Sequence, residues 1–162
     1  MPTANDAIAF SLTASQALLN RFTADLKPEE YLHRPTAAGN CTAWLIGHLT
    51  LTERNALKAL GAGDLPPLPE GFEKRFSRDE GCAQAGDFGD ATALMPLFNQ
   101  HRERLIDAVR RATPQQLAAP LEKPRPLFNT VGAMAHFMAI HVAMHAGQIT
   151  MIRRSLGRPP IM

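Results

Sequence analysis

The stretch Thr130–Leu156, TVGAMAHFMAIHVAMHAGQITMIRRSL, decides the fold. Each helical residue turns about 100° around the axis. On that wheel Met134, Met138, His141, His145, Gln148 and Ile152 step by four and three, which is the spacing of one helix face. His141 and His145 therefore stand one turn apart, and His136 points to nearly the opposite side. Asn129 or Thr130 can cap the start, while Gly157 and the prolines after it end the helix. No Asp, Glu, Lys or Arg occurs from Val131 to Ile152, enough residues to span a bilayer. Three histidines, a glutamine, a threonine and two glycines make it costly against lipid. The stretch reads as a buried helix of a soluble protein.

Three more segments carry the same period. One runs from about Asn5 to Leu26 on the stripe Ile8, Leu12, Ser15, Leu19, Phe22, Leu26. A second runs from about Thr42 to Leu60, with Thr42 as N-cap, Gly61 at C′ and Leu45, Leu49, Ala56 and Leu60 toward the core. A third runs from about Leu94 to Ala112, with Pro96 confined to its first turn because deeper it would remove a hydrogen bond. No segment alternates as a strand would. Between the helices, Pro28-Glu29-Glu30 and Thr113-Pro114-Gln115-Gln116 read as single turns, the latter with Thr113 as N-cap and Pro114 at N1. The connection from Gly61 to Asp90 is rich in glycine and proline; a loop of that length is usually functional or partly disordered. The expectation is an all-α four-helix bundle with long connections. Because the connections are long, chain order does not fix which helices are neighbours.

The chain has 162 residues, 45% hydrophobic and 20% charged. These values favour one domain over residues 1–162 and argue against disorder; such a chain buries roughly 70% of its unfolded surface. A net charge of +2 is too small to imply a nucleic-acid or membrane partner. The start, MPTANDAIAF, lacks a basic region followed by an apolar one, so no signal peptide is expected. Cys41 and Cys82 form no CxxC pair; they read as buried or inert thiols in a reducing cytoplasm, with a disulfide between them as the second reading.

Two imidazoles at i and i+4 are a common metal-holding device, as in HExxH. Here Val142-Ala143-Met144 intervenes, without the glutamate that a zinc protease uses as base. A carboxylate-bridged di-iron site needs Glu-x-x-His pairs on the helices. The chain has one such spacing, Glu30 to His33, in a loop, so that reading is discarded. A metal needs more ligands than two. His48, at the edge of the second helix's apolar face, and His101, in the stripe Leu94, Phe98, His101, Leu105, Ala108, both qualify, with placement slightly favouring His101. Three neutral imidazoles would leave the full dication charge and at least one open coordination position, the mark of a catalytic site.

The segment Trp44-Leu45-Ile46-Gly47-His48-Leu49 resembles the histidine-bearing helix of the DinB-like (YfiT-like) metalloenzymes. His141-Val142-Ala143-Met144-His145-Ala146-Gly147-Gln148 resembles that family's closing HxxxHxGQ motif. Leu32-His33-Arg34-Pro35 and the end of the chain, Arg153-Arg154-Ser155-Leu156-Gly157-Arg158-Pro159-Pro160, agree with it as well. The resemblance implies a four-helix bundle with a divalent metal, zinc or nickel, held by His48, His141 and His145, and a homodimer. His101 then becomes a core or pocket-wall residue. The characterised relatives include transferases and isomerases that use low-molecular-weight thiols.

Two enzyme readings follow. A thiol S-transferase or detoxification enzyme would bind a cellular thiol and a small-molecule electrophile. A hydrolase would need a base, and Glu53 is the nearest carboxylate on the second helix, although it projects well away from His48 and also reads as a salt-bridged group. A non-catalytic metal-binding stress protein is the third reading. Gln148 could orient a ligand, Trp44 and His101 could wall a substrate pocket, and Arg153 and Arg154 could meet a substrate carboxylate or form a solvated basic helix end. The Gly61–Asp90 loop, with Phe72, Phe76 and Phe88, is the expected lid unless its aromatics tuck it down.

Overall fold

Four long helices carry the computed structural model, which describes residues 3–63, 65–78, 82, 88–159 and 161. They are α1 (Ala4–Thr23), α2 (Thr42–Ala59), α3 (Leu94–Arg111) and α4 (Val131–Ser155). Their ends follow local chemistry. Thr3 and Asp6 form a capping box on α1, and Thr130 caps α4 by accepting from Ala133 N–H. Gly61 and Gly157, at φ +78 and +74, close α2 and α4 in the left-handed region open to glycine. The N-cap of α2 is Cys41 rather than Thr42, and α1 stops at Thr23, before Lys27 and Pro28. Single turns form at Pro28–Leu32 and Pro114–Ala118, the latter with Thr113 in a capping box.

The helices pack as a ring in which α1 touches α3 and α4, and α2 touches the same two. Consecutive helices α1 and α2 are thus diagonal, and α2 lies beside α4. This adjacency positions the site described below.

One element departs from the sequence expectation of no strands. Pro120–Arg125 (β1) and Phe128–Thr130 (β2) pair antiparallel, with Pro120 opposite Thr130 and Arg125 opposite Phe128. Every β1 residue is exposed or half-buried, so neither face is buried enough to impose alternation. Prolines at 120, 124 and 126 further mask it. The hairpin is held by Phe128, whose ring centroid lies 4.9 Å from that of Phe137 on α4.

The core has two apolar halves. One gathers Leu19, Leu45, Leu49, Phe98, Val142 and Ile149, and the other Leu12, Ala56, Leu105, Val109, Ala135 and Ala139. Arg102 lies between them, fully buried. Its guanidinium donates to Leu12 O (3.2 Å), Ser15 Oγ (3.1 Å), Glu53 Oε1 (2.7 Å) and Met138 O (3.2 Å), one helix after another. These four bonds offset the cost of burying the charge, while Arg102 Nε and Glu53 Oε2 find no partner among the described residues.

Arg153 is neither solvated nor free for a substrate. It is 2% exposed, and it donates to the Phe22 carbonyl and to Asp25. Arg158 joins the same group through Asp25 and Glu30. These pairs pin the end of α4 to the connection after α1. Arg154 is exposed.

Among the described residues, no helix is long and apolar enough to cross a membrane. The buried stripe of α4 centres on Ala135, Val142, Ala146 and Ile149, and His141 and His145 stand half-buried at its border.

Candidate metal centre

His48, on α2, meets His141 and His145, on α4, because those helices are neighbours. The ring centroids lie 5.3 Å (His48–His141), 5.5 Å (His48–His145) and 4.6 Å (His141–His145) apart. One nitrogen from each ring lies within 4.8 Å of the others. Such a group could hold a metal ion.

The proton inventory tests that fit. His48 Nδ1 lies 3.3 Å from the Phe76 carbonyl, which only accepts, so Nδ1 carries the proton. Thr52 Oγ1 spends its own proton on Leu49 O (2.8 Å) and so accepts from His141 Nδ1 at 3.3 Å. His145 Nδ1 donates to Gln148 Oε1 at 2.8 Å. All three rings therefore hold their proton on Nδ1 and leave Nε2 bare. His141 Nε2 and His145 Nε2 face each other at 3.0 Å with no proton between them. Two nitrogens bound tetrahedrally to one zinc-like ion lie about 3.3 Å apart. The residues fit a divalent cation, and fixed Nδ1 partners are the usual outer shell of histidine ligands.

Electrostatics agree. Burial is the first cause holding each imidazole below its ordinary value. His141 is pushed down to about 3, by burial and then by its two histidine neighbours and Arg102. His48 feels His145 and Arg78 in the same direction, against the Phe76 carbonyl, which pulls it up. Gln148 likewise pulls His145 up. The rings are neutral donors at pH 7.

The surroundings explain why His48 stands where it does. Trp44, one turn earlier and 5% exposed, stacks on the His48 ring at 4.9 Å and 5°. Gly47 leaves room for Phe76, whose Cδ1 lies 2.2 Å from where a Cβ would be. Phe72, Phe76 and Phe88 are buried and in ring contact, Phe72 to Phe76 at 4.4 Å and Phe76 to Phe88 at 5.7 Å. The aromatics of the expected lid thus tuck it onto α2; residues 64, 79–81 and 83–87 of that loop lie outside the described residues.

The other sequence candidates lie elsewhere. His101 is fully buried, with Nδ1 2.9 Å from the Leu97 carbonyl, and takes no part in the cluster. Glu53 is fully buried against Arg102, with burial pushing its carboxyl up to about 7 against the pull of that guanidinium. His136 is exposed on the α1 side of α4, beside Ser11 and Ala14. Sequence reasoning gave no role to the Thr52 hydroxyl or the Phe76 carbonyl. The i+4 spacing from His48 could have indicated Thr52, whereas Phe76 reaches the site only through tertiary packing.

No curated protein matches the chain. The DinB superfamily model matches residues 11–149, from α1 through all three clustered histidines, and the chain therefore belongs to the DinB superfamily.

Proposed function

We propose that the protein is a divalent-metal-dependent enzyme that joins a low-molecular-weight thiol to a small electrophile, with His48, His141 and His145 as ligands of zinc or nickel. The observation that carries this reading is the set of three histidines whose ligand atoms lie within 4.8 Å of one another and whose rings are each fixed by an Nδ1 hydrogen bond. Held by neutral donors, a dication keeps its full charge and supplies the Lewis acidity that favours a thiolate over a thiol near pH 7. Imidazole donors suit zinc and nickel.

The chain's own residues do the positioning. Phe76 and Thr52 hold the rings of His48 and His141 in one tautomer, and Gln148 does the same for His145 from an exposed position. Trp44 blocks one face of His48 and keeps its ring from swinging. Among the described residues, the side-chain cations that bear on these rings are Arg78 and Arg102. The hydrolase reading is weaker, because its candidate base, Glu53, is committed to Arg102.

Elemental analysis of the purified protein should find about one divalent ion per chain. Metal-loaded protein should then consume a thiol and an electrophile such as an epoxide or an activated halide together, one for one. Turnover of esters or amides with no dependence on thiol would replace the transferase by the hydrolase. Metal content without turnover in either screen would leave the non-catalytic reading.

A further inference from the structure

Cys41 and Cys82 are far apart in sequence, yet their Sγ atoms lie 3.5 Å apart. Cys41 is the N-cap of the eighteen-residue helix α2 and is fully buried, while Cys82 is 3% exposed. The backbone N–H of Cys41 donates to Cys82 Sγ at 3.3 Å, so that sulfur sits on the positive end of the helix. Arg34 donates to the Cys82 carbonyl and adds positive charge to the same corner. The two thiols are therefore unequal. The hydrogen bond with Cys41 and the Cys41 N–H pull Cys82 down against burial, while the Cys82 sulfur and then burial push Cys41 up against the pull of the Trp44 N–H. A sulfur that accepts a helix-terminal N–H beside an arginine, in contact with a second thiol, is the arrangement of an attacking and a resolving thiol.

We propose that Cys41 and Cys82 form a modification site, in which a small hydroperoxide oxidises the pair to an intramolecular disulfide that thiols reverse. Cys82 Sγ, as thiolate, attacks one peroxide oxygen; an S–O bond forms, the O–O bond breaks, and the departing hydroxide takes up the proton that Cys82 released. Cys41 Sγ then attacks Cys82 Sγ. The S–S bond forms as the S–O bond breaks, and the leaving hydroxide takes the Cys41 thiol proton. Two thiols have lost two electrons, and one hydrogen peroxide has become two waters. The bond ties to the start of α2 the same connection whose Phe76 carbonyl holds His48. Neither thiol belongs to the metal cluster, so the inference is independent of the proposed reaction.

The test uses the reduced, metal-loaded protein. After treatment with a small excess of hydrogen peroxide it is denatured, alkylated with iodoacetamide and mapped by mass spectrometry. The expected result is loss of both free thiols, a linked Cys41–Cys82 peptide within one chain, and recovery of both thiols with dithiothreitol. A Cys41→Ser variant should stop at a sulfenic acid on residue 82, trapped by dimedone, and a Cys82→Ser variant should leave residue 41 unoxidised. Two alkylated cysteines after peroxide, a disulfide between chains, or equal sulfenic acid at residue 41 in the Cys82→Ser protein would each overturn the proposal. Should a serine variant fail to fold, the wild-type peptide map decides alone.

Discussion

The ring of Phe76 occupies the space that a side chain on Gly47 would need: a Cβ there would lie 2.2 Å from Phe76 Cδ1. The same residue's carbonyl lies 3.3 Å from His48 Nδ1. One glycine in the middle of a helix thus seats the aromatic that sets the tautomer of the next residue. Gly47→Ala should favour the isolated helix by about 1 kcal/mol. In the protein it must displace Phe76 and withdraw the acceptor from His48. Loss of such an outer partner typically weakens metal binding about 10–100-fold. Competition against a chromophoric chelator measures this, and unchanged affinity would disconnect Phe76 from the site.

His145→Ala should abolish stoichiometric metal binding, since it removes one of three donors and leaves His141 Nε2 without its 3.0 Å neighbour. His136→Ala, on the other side of the same helix, should retain about one ion per chain. Elemental analysis after dialysis distinguishes them; equal metal content in both variants would remove His145 from the ligand set.

Acid should weaken the metal-free protein through these same rings. Their folded values are lowered, that of His141 to about 3, so below about pH 6.5 the unfolded chain binds more protons than the folded one. The stability they contribute is present above that value and is lost as pH falls toward the folded value. Glu53, whose folded value is raised to about 7, works in the opposite sense as pH falls from 7 toward 4.5. The comparison is therefore with His141→Gln. Between pH 7.5 and 5.5, urea unfolding of the wild type should lose about 1 kcal/mol relative to that variant. A parallel pH dependence would mean that His141 titrates normally.

Arg102→Met should be severely destabilising, by about 3–5 kcal/mol, because it forces the buried Glu53 carboxyl to protonate and takes the donor from Leu12 O, Ser15 Oγ and Met138 O. The double variant Glu53→Leu with Arg102→Met should recover much of that loss, since an apolar pair has no charge to desolvate. Denaturant midpoints give both values. Folded double variant that still binds about one ion per chain would confirm that Glu53 serves the core; lost metal binding would bring it into the site.

Much of this architecture was legible in the chain. The helices showed because an amphipathic period survives in α1, α2, α3 and α4, and their stops showed in Gly61 and Gly157. The hairpin at Pro120–Thr130 did not show, because neither face of its strands is buried enough to impose alternation. Within the candidate site, His141 and His145 were paired by helical spacing. His48 and His101 were not separable by period, since both lie near apolar faces; the family motif made the choice.

Local sequence therefore determined what lies within a turn or two of itself: the helices, their caps and the i, i+4 imidazole pair. Tertiary structure alone decided that α2 lies against α4, that Phe76 reaches His48, that Arg102 meets Glu53 and that Cys41 meets Cys82. The reason is physical. Backbone hydrogen bonding and side-chain period act over a few residues, whereas long connections leave helix neighbours to be chosen by which buried faces and polar groups satisfy one another in the packed core.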